Sequence, residues 1–200
     1  MKIFSLPLLL IVAFLSLGIT SPELKNVTIN NSIYSIVYSQ DFEQPLEISY
    51  DVMCNDNSKK YFSRKGLIFI KPENIHTSDD ADYFNNVWDK GHMAPAAGFN
   101  CDKNSLKLTF SYVNCALQHQ DLNRGQWKVL ESYEKELAIN NKVTIKIFVD
   151  FVGSTRLTTG AMIPSGFSKV IYLNGNKFKS YYFPNKRLEG SYEKYLVTKN

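Results

Sequence analysis

The stretch NVWDKGHMAPAAGFN, residues 86–100, is the part of this chain from which its fold and chemistry are most readily inferred. It contains His92, one of only three histidines in 200 residues, directly after an Asp-Lys-Gly triplet. Gly91 supplies conformational freedom and Pro95 ends any helix that starts here, so we expect His92 to follow a turn. Such a histidine is an ordinary turn residue, a metal ligand or a proton acceptor. Residues elsewhere in the chain decide among the three.

The first residues, MKIFSLPLLLIVAFLSLGITS, have the layout of a secretory signal peptide. One lysine precedes an apolar run that ends in small residues. We therefore assign residues 1–20 to the signal and residues 21–200 to the mature domain. An uncleaved anchor is the alternative, but a membrane span needs roughly 20 apolar residues, and this run is slightly shorter and contains Pro7. We expect a secreted protein without stable membrane association.

The composition of the mature chain fits one globular domain with a mild basic bias. About 180 residues are enough for one substantial core. Removal of Lys2 with the signal changes the formal net charge from +4 to +3, which is compatible with a polyanionic substrate without proving one. An oxidising compartment favours one disulfide and one free thiol among Cys54, Cys101 and Cys115, and three pairings are possible.

Alternating β-branched and aromatic residues predict most of the secondary structure. A helical pattern runs from residue 122 to 139, with Asn123 where an N-cap would lie. The run at 106–114 suits either a strand or a buried helical turn. Strands before and after one helix indicate an α+β fold, an antiparallel sheet flanked by helices. The predicted strands are residues 33–40, 46–53, 64–71 and 142–153, and a hairpin over 169–185 turns at Asn174-Gly175.

The helical segment carries oxygen ligands at a useful spacing. Asn123, Trp127 and Glu131 are four residues apart and so share one helical face. A hard cation such as Mg²⁺ takes oxygen ligands, keeps several waters and needs only one or two protein contacts. Asn123 is a candidate direct ligand and Glu131 a candidate for holding a coordinated water. A nearby neutral His92 would take a proton from an attacking water, while Lys90, Arg64 and Arg124 are candidates for binding phosphate.

Less specific interpretations apply to other residues. Trp127 and Leu130 are expected in the core, and Lys128 on a solvated face. A zinc site lacks the close pairs Cys-x₂₋₄-Cys or His-x₃₋₅-His that such sites use. It would have to be assembled from Cys54, His92, Cys101, Cys115 and His119.

Three segments together resemble the DNA/RNA non-specific endonuclease family, which includes endonuclease G and is built on a ββα-metal (His-Me) finger. DKGHMAPAAGF is similar to its Asp-Arg-Gly-His signature. NCALQ followed by LNRGQWKVLE is similar to its second motif, and AMIPSGFSKV to its closing Ile-Pro-x-x-Phe-x-Lys-Val segment. The resemblance covers roughly residues 42–187. The second motif, at the right distance from the first, makes a chance match improbable.

The resemblance implies a role for several residues. His92 corresponds to the general base and Asn123 to the sole direct protein ligand of Mg²⁺, for which Mn²⁺ can substitute. Glu131 corresponds to the residue that steadies a metal-bound water, and Asn114 to the asparagine that supports the histidine. Arg64 lies in a stretch that only loosely resembles the family's upstream arginine region.

The chain also departs from the family pattern. Lys90 stands where arginine is usual, which keeps the charge but loses the planar fork that grips phosphate. Leu117 replaces a proline and Gly98 an aspartate. Asp89 is expected to orient its own loop.

The sequence thus predicts a secreted, Mg²⁺-dependent endonuclease that binds the backbone phosphates of DNA and RNA with little sequence preference. The alternative is a secreted nucleic-acid-binding protein of the same fold with reduced or lost catalysis. A narrower phosphodiesterase acting on small or single-stranded substrates is a third possibility.

Overall fold

The computed structural model describes residues 25–54 and 60–198, so the predicted signal peptide lies outside the described residues. The helices are α1 (Lys103–Leu108), α2 (Gln120–Leu122) and α3 (Lys128–Ala138), and a π-helical turn over Asn123–Trp127 joins the last two. Within the described ranges, no helix is long and apolar enough to cross a bilayer. The strands are β1 (Asn26–Asn30), β2 (Ser35–Ser39), β3 (Gln44–Asp51), β4 (Trp88–His92), β5 (Cys115–His119), β6 (Val143–Asp150), β7 (Gly166–Leu173) and β8 (Asn176–Pro184).

An antiparallel six-stranded sheet in the order β1-β2-β3-β6-β7-β8 forms the body of the molecule. Its inner face carries fully buried side chains such as Ile48 and Ile147. Trp127, also fully buried, contacts this face with ring centroids 5.5 Å from Phe167 and 5.8 Å from Phe183. The predicted α+β class, an antiparallel sheet flanked by helices, is confirmed, as are the core positions of Trp127 and Leu130.

A smaller antiparallel pair, β4 with β5, precedes the helical segment formed by α2, the π turn and α3. We call residues 120–138 the site helix. His92 is the last residue of β4 and lies opposite Cys115 of β5. Strand, strand and helix follow one another as the ββα resemblance implies.

Gly91 has a different role from the predicted one. It lies within a strand, where a Cβ would collide with the side chain of Gln118 on the neighbouring strand. Close packing, and not a turn, requires glycine immediately before His92. The alternating-residue criterion did not find β4 because glycine and charged residues interrupt it.

Residues 64–71 were wrongly predicted as a strand. Gly66, at φ +84°, makes a turn inside this run. Within the described residues, the only β-bridge that the run makes joins Ile70 to Ser111. The run at 106–114 resolves as helical, since α1 ends at Leu108 and a 3₁₀ turn covers Tyr112–Asn114. The short edge strand β1 was not predicted.

The site helix begins earlier than expected, and Asn123 is not its N-cap. His119 caps it, with Nδ1 accepting from the backbone N–H of Asp121 at 3.2 Å. Gly125 departs from helical geometry (φ −102°, ψ −116°) within the π turn. π turns interrupt helices frequently at functional sites, and this one contains Asn123.

The remaining predictions agree with the fold. The β7–β8 hairpin turns at Asn174 and Gly175, with φ of 51° and 84°, as a type I′ turn requires. Of the three possible cysteine pairings, the structure has Cys54 bonded to Cys101, with Cα atoms 5.6 Å apart. Cys115 is a buried free thiol.

Candidate active site

Five of the six candidate site residues line one pocket of about 1010 Å³ between β4 and the site helix. We call it the His92 pocket. The sixth, Asn114, is fully buried behind it. The five are Arg64, Lys90, His92, Asn123 and Glu131.

The imidazole of His92 packs against two aromatic rings that also contact each other, with their centroids 5.3 Å apart. The ring centroids of Phe69 and Phe110 are each 5.0 Å from it. Its Nε2 atom is buried and has no hydrogen-bond partner among the described residues. A buried polar atom without a partner is uncommon, so this nitrogen is available for a group that enters the pocket.

Burial and, to a smaller extent, the nearby guanidinium of Arg64 together lower the pKa of His92 to about 4. An exposed histidine has a pKa near 6.5. The structure therefore gives a neutral imidazole throughout the neutral pH range, with a lone pair ready to accept a proton. A lower pKa also makes it a weaker base than an exposed histidine.

Asn114 fixes the chain just after His92 and does not reach the pocket. Its side-chain Oδ1 accepts from the N–H of Ala94 and its Nδ2 donates to the carbonyl of Ala94, both at 2.9 Å. Nδ2 also donates to Thr109 O at 2.9 Å, and the backbone carbonyl of Asn114 accepts from Met93 N–H at 2.8 Å. These contacts fit the supporting role implied by the resemblance.

Asn123 presents an oxygen to the pocket because of Asp89. Nδ2 of Asn123 donates to Oδ2 of Asp89 at 2.8 Å. A carboxylate only accepts, so the amide must turn its nitrogen toward Asp89. Oδ1 of Asn123 then faces away from Asp89 and accepts no hydrogen bond from the described residues. Asp89 thus orients the site helix, beyond the role in its own loop that the sequence suggested.

Arg124 holds Asp89 from the same helix. Its Nε and Nη2 donate to the two carboxylate oxygens at 2.8 and 2.6 Å. Partial burial raises the pKa of Asp89, but the hydrogen bonds from Arg124 and Asn123 outweigh it and keep the pKa below its ordinary value. Arg124, expected to bind phosphate, is therefore engaged in an ion pair.

Glu131 lines the same pocket two helical turns beyond Asn123. Burial raises its pKa to about 7, with Lys169 opposing the rise and Glu134 adding to it. The carboxyl group therefore changes charge within the physiological pH range. Displaced pKa values of this kind cluster at functional sites, although structural networks also produce them.

Lys90 has partners that the sequence did not predict. Its ammonium pairs with Asp80 and lies 5.2–5.6 Å from the ring centroids of Phe69, Tyr83 and Tyr112. Its charge is therefore already paired, with a carboxylate that is itself exposed at the surface.

Three other cations stand at the rim with exposed side chains: Arg64, Lys65 and Lys128. None of the three makes an ion pair within the described residues. Lys128 is exposed, as predicted for a solvated face, and it also lines the pocket. Its spacing from Glu131, three residues along a helix, was the signal that places it beside the pocket.

The donor set fits a hard cation that keeps most of its water. Within the described ranges, no cluster of three or more histidine, cysteine, aspartate or glutamate side chains forms a multidentate site. Magnesium needs only one or two protein oxygens; the unengaged Oδ1 of Asn123 would be one such oxygen, and the Glu131 carboxylate lines the same pocket. A zinc site that uses Cys54 and Cys101 is not available, because these two cysteines are bonded to each other.

Comparisons with known proteins find similarity to a family of nucleases. A family model described as DNA/RNA non-specific endonuclease matches residues 16–200. A mouse protein, nuclease EXOG, mitochondrial, is 38% identical over 94 residues, which is 45% of this chain and 24% of that one. Human endonuclease G, mitochondrial, is 36% identical over 62 residues, which is 31% of this chain and 21% of that one. These matches span about a quarter or less of those proteins.

A solved structure shares the fold. The crystal structure of the EndoG/EndoGI complex, titled for the mechanism of EndoG inhibition, superposes with a TM-score of 0.73 at 22% identity. The match covers 86% of this chain and 80% of that one.

Proposed function

Because the chain belongs to the DNA/RNA non-specific endonuclease family, we propose that it is a metal-dependent endonuclease that hydrolyses the phosphodiester bonds of DNA and RNA with little sequence preference. One observation carries the proposal. The neutral His92, with an unpartnered Nε2, lines the same pocket as an asparagine whose oxygen is left free by Asp89.

In the proposed reaction, each of these residues has a separate role. Arg64, Lys65 and Lys128 bind backbone phosphates at the rim, a contact that carries no base preference. His92 Nε2 accepts a proton from a water as the water oxygen bonds to phosphorus. The bond from phosphorus to the 3′-oxygen breaks on the opposite side, leaving a 5′-phosphate, and the 3′-oxygen takes a proton from solvent.

Asn123 would hold a divalent ion such as Mg²⁺, with Glu131 ordering water around it. When bound, the ion supplies Lewis-acid stabilisation of the phosphate and of the leaving oxygen. Asp89 keeps the Asn123 amide in the orientation that this requires. Asn114 keeps the backbone after His92 in place.

A nucleic-acid-binding protein without turnover is the alternative. The ion pair between Lys90 and Asp80 favours this alternative, because a lysine that was expected to bind phosphate already has an anionic partner. Incubating residues 21–200 with supercoiled plasmid and with RNA, with Mg²⁺ or with EDTA, separates the two. We expect cleavage of both substrates with Mg²⁺ only. Salt-sensitive binding with no cleavage would support the alternative.

We also propose that the chain is secreted, on the basis of residues 1–20 and the Cys54–Cys101 disulfide, which is typical of oxidising compartments. The curated relatives are named as mitochondrial. Expression of the full chain in eukaryotic cells, followed by analysis of medium and mitochondria, tests this. Recovery in the medium, beginning near residue 21, is expected, and recovery in mitochondria would overturn it.

A further inference from the structure

The strand β1 lies at one edge of the main sheet and pairs with β2 alone. Its other edge has no β partner within residues 25–54 and 60–198. The opposite edge of the sheet, at β8, is partly covered. There the C-terminal segment bridges Leu196 to Tyr181, and Val197 N–H donates to the Ser180 carbonyl at 2.7 Å. An open edge strand is a template for pairing with another chain, and soluble proteins block such edges in several ways. Of the two edges of this sheet, the one at β1 is left open.

The side chains of β1 form an inner and an outer set. Val27 and Ile29 are partly buried and pack against the main core. Asn26, Thr28 and Asn30 alternate with them and are exposed. Successive side chains of a strand point to opposite faces, so the three polar side chains share the solvent face. The apolar set anchors β1, and the polar set extends into solvent.

The polar set contains the asparagines of two acceptor motifs for N-linked glycans. Asn26-Val-Thr28 and Asn30-Asn-Ser32 both follow the pattern Asn-x-Ser/Thr, and no other stretch of the 200 residues does. A glycan is bulky and solubilising and belongs on the protein surface. Both motifs of this chain therefore place their asparagine on the exposed face of its open edge strand.

The two acceptor amides are unengaged, in contrast to the asparagine that follows them. The side chains of Asn26 and Asn30 make no hydrogen bond within the described residues. Oδ1 of Asn31 accepts from the N–H groups of Ile33 and Tyr34 at 2.9 and 3.0 Å and so forms the turn into β2. A glycan on Asn26 or Asn30 would break no such contact. The two attachment points are about 13 Å apart, because a strand rises roughly 3.3 Å per residue.

We propose that Asn26 and Asn30 are N-glycosylated and that their glycans shield the open edge of β1 from pairing with other chains. The inference rests on the proposed secretion, because N-linked glycans are added to chains that enter the secretory pathway. It does not depend on the proposed chemistry. No residue of β1 lines the His92 pocket, so both attachment points lie outside the candidate active site.

The modification is a group transfer from a lipid-linked oligosaccharide diphosphate. Nδ2 of the asparagine forms a bond to the anomeric carbon of the first sugar and loses one proton. The bond from that carbon to the diphosphate oxygen breaks, and the lipid diphosphate leaves with its electron pair. The hydroxyl residue two positions on, Thr28 or Ser32, is part of the recognition motif. Replacing it should abolish the site while the asparagine stays in place.

Expression in cultured mammalian cells, followed by digestion with peptide N-glycosidase, tests the acceptor sites. Residues 21–200 are produced behind an established secretory signal, beside the full chain with its own residues 1–20. We expect the secreted wild type to lose the mass of two glycans on digestion. Each of four single variants should lose the mass of one, and Asn176→Gln, an exposed asparagine of β8 outside any motif, should lose two. The four variants are Asn26→Gln, Thr28→Ala, Asn30→Gln and Ser32→Ala.

A secreted wild type whose mass is unchanged by digestion would overturn the proposal. One glycan that Asn26→Gln alone removes would overturn the assignment of Asn30. Recovery of the full chain in mitochondria would instead overturn the proposed secretion, and the chain with the established signal would still decide whether β1 accepts glycans.

Sedimentation velocity of the glycosylated and the digested protein tests the shielding. We expect the digested protein to self-associate at concentrations at which the glycosylated protein does not, while both cleave plasmid DNA at the same rate. The double variant Asn26→Gln/Asn30→Gln should behave like the digested protein, which separates loss of the glycans from the aspartates that digestion leaves. Equal association of the glycosylated and glycan-free forms would refute the shielding role.

Discussion

The side-chain amide of Asn123 donates to the carboxylate of Asp89 at 2.8 Å, across the gap between β4 and the site helix. Because the carboxylate can only accept, the contact fixes which end of the amide faces the pocket. Two residues that are 34 positions apart in sequence thereby define the oxygen that would face a bound metal ion.

Replacing Asn123 should weaken metal binding more than replacing Asp89. Asn123→Ala removes the oxygen itself, and we expect at least a ~10²-fold loss in kcat together with loss of calorimetric Mg²⁺ binding. Asp89→Asn keeps the oxygen but lets the amide rotate, and such outer partners cost roughly 10–100-fold. Asp121→Asn, on the same helix but outside the pocket lining, is the control. A wild-type Mg²⁺ affinity in Asn123→Ala would contradict the assignment.

The pH dependence of cleavage should report Glu131 and not His92. The His92 pKa of about 4 keeps it deprotonated above pH 5, whereas Glu131, at about 7, gains its charge as the pH rises through neutrality. We expect kcat/KM to rise between roughly pH 6 and 8, and Glu131→Gln to remove that limb. Bound metal moves the midpoint lower. A limb that persists in Glu131→Gln would point to another group.

The free energy of unfolding should fall at acidic pH because His92 is buried in its neutral form. Its pKa is lowered in the folded state relative to about 6.5 when unfolded, so the unfolded chain binds the extra proton more readily. The contribution is present above pH 6.5 and is lost as the pH falls toward 4. Denaturant midpoints of the wild type and of His92→Gln, measured across this window, should converge or cross at low pH. Parallel curves would contradict the burial of the imidazole.

Lys90 and Arg64 should behave differently, although both were expected to bind phosphate. Lys90 is engaged by Asp80 and three aromatic rings, whereas Arg64 is exposed at the rim. We expect Arg64→Met to raise KM for DNA several-fold. Lys90→Met should instead destabilise the protein by about 1 kcal/mol through its lost pairing, visible as a lower melting temperature. A larger rise in KM for Lys90→Met than for Arg64→Met would support direct phosphate binding by Lys90.

The sequence predicted which residues meet in the pocket better than it predicted their individual contacts. The fold class, the core position of Trp127 and the hairpin at Asn174-Gly175 follow from patterns that are local in the chain. The role of Asp89 and the aromatic partners of Lys90 depend on contacts between distant segments. Motif spacing therefore identified which residues meet in the pocket, but not which atoms they present to it.

The error at residues 64–71 has a similar cause. Alternating apolar residues are necessary for a half-buried strand but do not supply a partner strand, and Gly66 turns the chain before one is reached. The displaced start of the site helix reflects a cap provided by His119, a residue type that is not among the usual N-caps.

The most direct test of the central claim is Mg²⁺-dependent cleavage of plasmid DNA by purified His92→Ala beside the wild type and His76→Ala, a histidine outside the pocket lining. Loss of a general base costs roughly 10²–10⁴-fold, so we expect that fall in kcat for His92→Ala, with an unchanged circular dichroism spectrum and wild-type activity in His76→Ala. Cleavage by His92→Ala at the wild-type rate would contradict the account.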